Sequence, residues 1–274
     1  MKIDAHQHFW RLSRGDYNWL TPDKAPLYQD FEPSDLLPLL KESDIDGTVT
    51  VQAAPTLAET EFMLSLADND DFILGVVGWC DFESADASAQ IRDLAVRPKL
   101  VGLRPMIQGI ADVDWMLRPA LTPAFETMVD TDLGFDALTL PKHLPNLARL
   151  MERHPALRVV IDHGSKPDIA GGAFDTWAQD MRLLASNTTA LVKMSGLVTE
   201  AGSDWSVGSL KPYVDFLLEH FGPQRLMWGS DWPVCTLASS YRAWCDATDQ
   251  LLEGLDEADR VQIWGATASR FYNL

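Results

Sequence analysis

Ile3-Asp4-Ala5-His6-Gln7-His8-Phe9 is a short apolar run that carries two imidazoles two positions apart. In an extended strand successive side chains point to opposite faces, so Asp4, His6 and His8 are expected on one face and Ile3, Ala5 and Gln7 on the other. Two imidazoles converging on one small volume suit a metal, an oxyanion or both, because neutral imidazole offers a lone pair and its N–H groups donate hydrogen bonds. No Gly-x-Gly-x-x-Gly turn follows this strand, so the feature that would favour an open dinucleotide-binding sheet is missing.

Working outward from this run, residues 10–31 form an aromatic stretch with Trp10, Tyr17, Trp19, Pro22 and Pro26. It is too rich in breakers for a helix and long enough to act as a lid. Beyond it the pattern becomes regular. Apolar runs at 47–52, 73–79, 100–104, 134–139, 158–163, 190–195 and 225–231 read as strands. Helical patterns at 34–43, 56–68, 84–95, 119–130, 141–154, 174–186, 209–221 and 237–252 alternate with them, and a last one starts near Asp256. Thr56 with Glu59 three residues on is a capping-box signature, and Pro141 sits where a first helical residue belongs. Eight short strands, each followed by a helix, predict parallel pairing and an α/β fold, the closed (β/α)8 or TIM barrel, as a single domain over residues 1–274.

The chain is 46% hydrophobic and 23% charged, as expected of a globular protein with an ample core. Its formal charge of −18 argues against nucleic acid and anionic membrane surfaces, which both require a basic footprint. No apolar run is long enough to cross a bilayer. Cys80, Cys235 and Cys245 are too few and too scattered for a disulfide framework and include no Cys-x-x-Cys pair. With the first strand starting at Lys2 and leaving no room for a leader, this points to a reducing cytoplasm, while the charge says little about a small substrate.

In such a barrel the chemistry sits where strands end. The strand ends carry His6 and His8, Gln52, Trp79, Arg104, Asp136, His163, Lys193 with Ser195, and Asp231. Lys193 interrupts the buried run Leu191-Val-Lys-Met194, and a buried ammonium needs a partner. An ion pair with Asp4 and a contact with substrate are both open. His163 ends an apolar strand and is followed by the tight turn Gly164-Ser-Lys-Pro167. Asp231, between Trp228-Gly-Ser and Trp232-Pro233, suits a general base or a helix cap. His143, His154 and His220 flank or end helices and read as structural.

Five motifs in register, Asp4-Ala-His6-Gln-His8-Phe-Trp10, Asp162-His163-Gly-Ser-Lys-Pro167, Lys193-Met-Ser-Gly196, Gly229-Ser-Asp231-Trp-Pro233 and Trp264-Gly-Ala-Thr-Ala-Ser-Arg270, together resemble the amidohydrolase superfamily. More narrowly they resemble its sugar-lactonase branch, of the L-fuconolactonase and L-rhamnonolactonase type, related to pyrone-dicarboxylate lactonase. The resemblance implies an active-site set of His6, His8, His163 and Asp231. Binuclear relatives carry a lysine at the end of strand four, where this chain has Arg104-Pro-Met106, and metal-dependent ones add a histidine after strand five, where it offers Asp136 and Thr139. A two-metal site is therefore disfavoured. One divalent ion, zinc on His6, His8 and Asp231 with water in the fourth position, remains open, and is dispensable if the imidazoles polarise the substrate themselves.

The implied reaction is lactone hydrolysis, an EC 3.1.1-type carboxylic ester hydrolysis. Asp231 activates water and later returns the proton, while His6, His8 and His163 polarise the carbonyl. Arg104 is the single arginine among the strand ends, too few for a dicarboxylate. Arg104, Lys193 and Gln52, interleaved with Trp10, Trp79 and Trp232, better suit the hydroxyls and C–H face of a neutral aldonolactone. The alternatives are a zinc-dependent decarboxylase of the same superfamily and a non-catalytic sugar-binding barrel.

Overall fold

The computed structural model describes all 274 residues. Its strands are β1 (Ile3–Gln7), β2 (Gly47–Val51), β3 (Ile73–Gly78), β4 (Leu100–Leu103), β5 (Gly134–Ala137), β6 (Val159–Ile161), β7 (Leu191–Met194) and β8 (Leu226–Trp228), paired in sequential order in one parallel sheet. The sheet curls into the expected TIM barrel. Closure between its first and last strands is made past the end of β8, where Asp231 N donates to His6 O and His8 N to Trp232 O, both at 2.7 Å. The bonds that shut the barrel thus run through the backbone of the candidate site.

Between strands lie α1 (Pro33–Glu42), α2 (Leu57–Asn69), α3 (Ala87–Ala95), α4 (Thr122–Asp130), α5 (Leu144–Arg153), α6 (Asp175–Asn187), α7 (Leu197–Ala201) and α8 (Val207–Phe221), and α9 (Tyr241–Leu251), α10 (Glu257–Val261) and α11 (Thr267–Tyr272) follow β8. None is long and apolar enough to cross a membrane. The five-residue α7 escapes sequence reading because it is shorter than two helical turns. The Thr56 cap forms, its hydroxyl accepting from Glu59 N at 3.0 Å. The reciprocal half of the box does not. The Glu59 carboxylate instead accepts from Ala53 N at 3.0 Å and Tyr17 OH at 2.6 Å.

Two apolar layers hold the barrel. The inner one joins Ile3, Ala5, Val49, Val51, Val77, Val160 and Met227 with Ala268, Phe271 and Tyr272 of α11, which plugs the end where strands begin. The outer one packs the helices on the sheet. Residues 10–31 are a docked wall rather than a free lid. Trp10, Tyr17, Leu20 and Leu27 are buried with Ala53 and Ala54, and the indoles of Trp10 and Trp19 donate to Gln29 O at 2.8 Å and Ala53 O at 2.7 Å.

β1 departs from simple alternation. Ile3 pairs with Gly47 and Asp4 with Thr48, but Gln7 pairs with Thr50, so β1 takes three steps where β2 takes two. This bulge lets Ala5 join the inner layer while His6 also turns toward the barrel mouth. Asp4 is left on the outer side, accepting from Ser230 N at 2.8 Å and from Tyr241 OH of α9 at 3.1 Å. The expected shared face of Asp4, His6 and His8 is therefore corrected to His6 and His8.

Candidate active site

The site is centred on one carboxylate oxygen. Asp231 Oδ1 lies 3.2 Å from His8 Nε2, 3.7 Å from His6 Nε2 and 3.9 Å from His163 Nε2. All four side chains are at least 93% buried. His163 and Asp231 both hold positive φ, 54° and 57°, a left-handed conformation that costs non-glycine residues about 1–3 kcal/mol each and is kept only where packing over-determines it. Gly196, with φ 66°, makes room beneath them: a Cβ there would stand 2.6 Å from His163 Nδ1 and 3.3 Å from Asp231 Oδ2.

Each ring is oriented by its other nitrogen. His8 Nδ1 donates to Val51 O at 2.7 Å, which presents Nε2 to Asp231. His163 Nδ1 meets Ser195 Oγ at 2.9 Å. His6 Nδ1 faces Asp162 Oδ1 at 3.4 Å, and Arg104 Nη1 approaches its Nε2 at 3.3 Å. Burial pushes His163 down to about 4 and His6 well below the usual imidazole range; Lys193 adds to the shift at His6, against the opposing pull of Asp162. Both rings are neutral at pH 7. Burial works to raise the Asp231 carboxyl, but His163, His8 and His6 outweigh it and hold the group ionised.

Beneath the rings Lys193 Nζ contacts Asp136 at 2.5 Å, Asp162 at 3.2 Å and His6 Nδ1 at 3.2 Å, with no exposed surface. Arg104 completes the network on Asp162 at 3.2 Å. The sequence alternatives for Lys193 both fail, since Asp136 and Asp162 pair it and it reaches neither Asp4 nor the cavity. Two cations against two carboxylates balance, which is what makes the burial tolerable.

Above the rings opens a cavity of about 390 Å³ lined by His8, Trp19, Lys24, Ala53, Arg104, Met106, Gln108, Gly109, Leu138, His163, Lys166, Asp231 and Val234. Arg104 is the one expected substrate contact found there. Gln52 is fully buried, its side-chain amide donating to the Arg104 backbone O at 2.7 Å and its backbone carbonyl accepting from the Arg104 guanidinium, so it positions that arginine. Trp10 is buried behind the wall, Trp232 packs on Phe9 and Phe31, and Trp79 does not line the cavity. The aromatic face comes from Trp19, whose ring stands nearly perpendicular to that of Trp10, centroids 5.5 Å apart. Its only sequence signal was membership of an aromatic stretch. A roomier surface groove between α5 and α6 contains none of these residues.

One donor set can hold a metal ion, His6, His163 and Asp231, whose ligand atoms lie within 4.8 Å of one another. The sequence set had His8 in place of His163. The 3.7 and 3.9 Å separations to Asp231 approach the roughly 3.4 Å between ligands of a tetrahedral zinc. With both imidazoles neutral, the residues fit a single ion, which competes with Arg104 for the lone pair on His6 Nε2.

A parallel barrel with imidazoles and one ionised carboxylate gathered at the strand ends defines a barrel enzyme of hydrolytic chemistry. The chain belongs to the amidohydrolase family, whose model matches residues 3–274. It is 43% identical to an L-fucono-1,5-lactonase of Burkholderia ambifaria, over all of this chain and 96% of that one. An amidohydrolase from Burkholderia multivorans, crystallised with bound zinc, superposes with a TM-score of 0.95 at 35% identity, covering 100% of this chain and 99% of that one. A probable 2-pyrone-4,6-dicarboxylic acid hydrolase from Acinetobacter baumannii shares the fold, with a TM-score of 0.82 at 20% identity over 100% and 99% of the two chains.

Proposed function

We propose that this protein hydrolyses the ester bond of a sugar lactone, with residues 1–274 acting as one unit because β1 and the segment after β8 together supply the site and α11 plugs the barrel beneath it. The observation that carries the reading is the convergence of His6, His8 and His163 on Asp231 Oδ1, with His8, His163 and Asp231 lining the cavity and His6 fully buried beside them. The full-length likeness to an L-fucono-1,5-lactonase supports the substrate class. Asp231, ionised and water-accessible from the cavity, takes a proton from water as it attacks the carbonyl carbon. The His8 and His163 imidazoles and the Arg104 guanidinium, which line the cavity, face the oxygen on which negative charge develops, and His6 supports them from behind through Asp231. Where zinc is bound, His6, His163 and Asp231 hold it, and it supplies Lewis-acid polarisation of that carbonyl. Trp19 offers an apolar plane for the C–H face of a sugar, while Lys24 and Gln108 meet its hydroxyls. The three free, buried cysteines support a reducing compartment.

The test is acid release from L-fucono-1,5-lactone and a panel of other aldonolactones, followed with a pH indicator. Turnover well above spontaneous hydrolysis is expected, and Asp231→Asn should lose roughly 10²–10⁴ of it while remaining folded. A wild-type protein that leaves the whole panel intact sinks the reading, as does an Asp231→Asn variant of normal activity. Metal analysis with a decarboxylation assay separates the decarboxylase alternative.

A further inference from the structure

Hydrolysis of a lactone leaves a ring oxygen that departs as an alkoxide and needs a proton. We propose that Lys166 supplies it and that Glu200 is the positioning residue that holds and reprotonates Lys166; this rests on the lactonase reading above. Four consecutive residues, His163, Gly164, Ser165 and Lys166, hold positive φ between 50° and 62°. Three of them are not glycine, and such a run persists only under tight constraint. The constraint is visible. Ser165 Oγ bonds Thr139 Oγ1 at 2.9 Å, Gly164 O accepts from the Trp177 indole at 2.7 Å, and Lys166 N donates to His163 O at 2.9 Å.

The outcome of this strained turn is that one rigid segment delivers both the His163 ring and the Lys166 side chain to the cavity. Lys166 Nζ lies 3.4 Å from Glu200 Oε1 on α7, with side chains 22% and 26% exposed. The pair therefore touches the cavity on one side and solvent on the other, as a proton route requires. Lys24, the other ammonium on the cavity, donates to Trp19 O at 2.8 Å and has no carboxylate partner. The Arg104 guanidinium is already engaged with Gln52 O and Asp162. Lys166 is thus the cavity cation with a transferable proton and a carboxylate behind it.

The step balances. A water proton passes to Asp231 as the water oxygen bonds to the carbonyl carbon. Collapse of the tetrahedral intermediate breaks the bond from the acyl carbon to the ring oxygen, and a Lys166 N–H proton goes to that oxygen. The product carboxylic acid returns a proton to the Lys166 amine through Glu200 or solvent, and Asp231 releases its own, leaving carboxylate and one free proton.

The test compares an unsubstituted δ-lactone, an aldono-1,5-lactone and the matching δ-thiolactone. An alkoxide leaving group has a conjugate acid about as weak as water and needs a proton to depart, whereas a thiolate, near 8.5, leaves unprotonated. Lys166→Met should lose about 10²–10⁴ in kcat on the oxygen lactones and less than about tenfold on the thiolactone. Lys166→Arg should restore KM but not kcat on the oxygen lactones, and Glu200→Gln should lose less, with the same oxygen-over-sulfur bias. Unfolding temperatures establish that the variants are folded. Equal losses on oxygen and sulfur substrates, or none, overturn the proposal and leave the lactonase reading standing; a wild type inert to every substrate removes both.

Discussion

Lys193→Met tests the buried network beneath the rings. The ammonium is unexposed and held by Asp136 at 2.5 Å and Asp162 at 3.2 Å, with His6 Nδ1 3.2 Å away. Its loss leaves Asp136 with a single hydroxyl partner, Tyr272 OH at 2.8 Å, and Asp162 with Arg104. Orphaning a buried charge in this way costs about 3–5 kcal/mol. At roughly 2–4 °C per kcal/mol for a chain of this size, the unfolding temperature should fall by about 6–20 °C. Adding Asp136→Asn removes the orphaned charge, so the double variant should recover at least about 1 kcal/mol over Lys193→Met alone. Asp4→Asn, outside the network, should add its own loss without coupling. Urea unfolding of Lys193→Met, Lys193→Met/Asp136→Asn, Asp4→Asn and Lys193→Met/Asp4→Asn measures all of this. Because Lys193 does not line the cavity, KM should stay near the wild-type value. A stability loss under about 1 kcal/mol together with a raised KM would refute the reasoning and return Lys193 to the substrate.

Gly196→Ala forces a side chain into a left-handed position and into the space of His163 Nδ1; about 1–3 kcal/mol of stability and most of the activity should be lost, and a variant with full turnover contradicts the packing described. Burial raises the Glu59 carboxyl from 4.5 to about 7, against the hydrogen bonds from Tyr17 and Ala53 that act to lower it. The folded state therefore binds more protons than the unfolded one between those values, and this group's contribution is full below pH 4.5 and lost as pH rises through about 7, a fall of about 3 kcal/mol. Urea unfolding at pH 5 and 8 should show that fall shrinking in Glu59→Gln, and an unchanged difference removes Glu59 as its source. Elemental analysis after zinc loading should find at most one ion per chain, reduced by His163→Ala more than by His8→Ala; the reverse order restores His8 as the ligand.

The alternation of strands and helices, the Thr56 cap, the paired histidines of β1 and the catalytic candidates at the ends of β6 and β8 were legible because each is a local pattern of side-chain type and spacing. The barrel followed from their number and order. The substrate-facing residues were less legible: of six proposed, Arg104 lines the cavity, while Trp19, Lys24, Gln108 and Lys166 went unnoticed. Trp10 and Trp232 satisfy the same aromatic pattern as Trp19, and only the docking of residues 10–31 decides which ring faces inward.

By itself, then, the chain's order of residues determined the architecture and the rim at which the histidines and Asp231 gather, since periodicity and strand count suffice for both. Tertiary structure alone decided that Asp4 leaves the histidine face through a one-residue bulge, that Lys193 pairs with Asp136 and Asp162, and that His163 and Lys166 are presented by one left-handed turn. Register, buried charge pairing and turn conformation are set by contacts between residues as far apart as His6 and Lys193, and no local pattern encodes them.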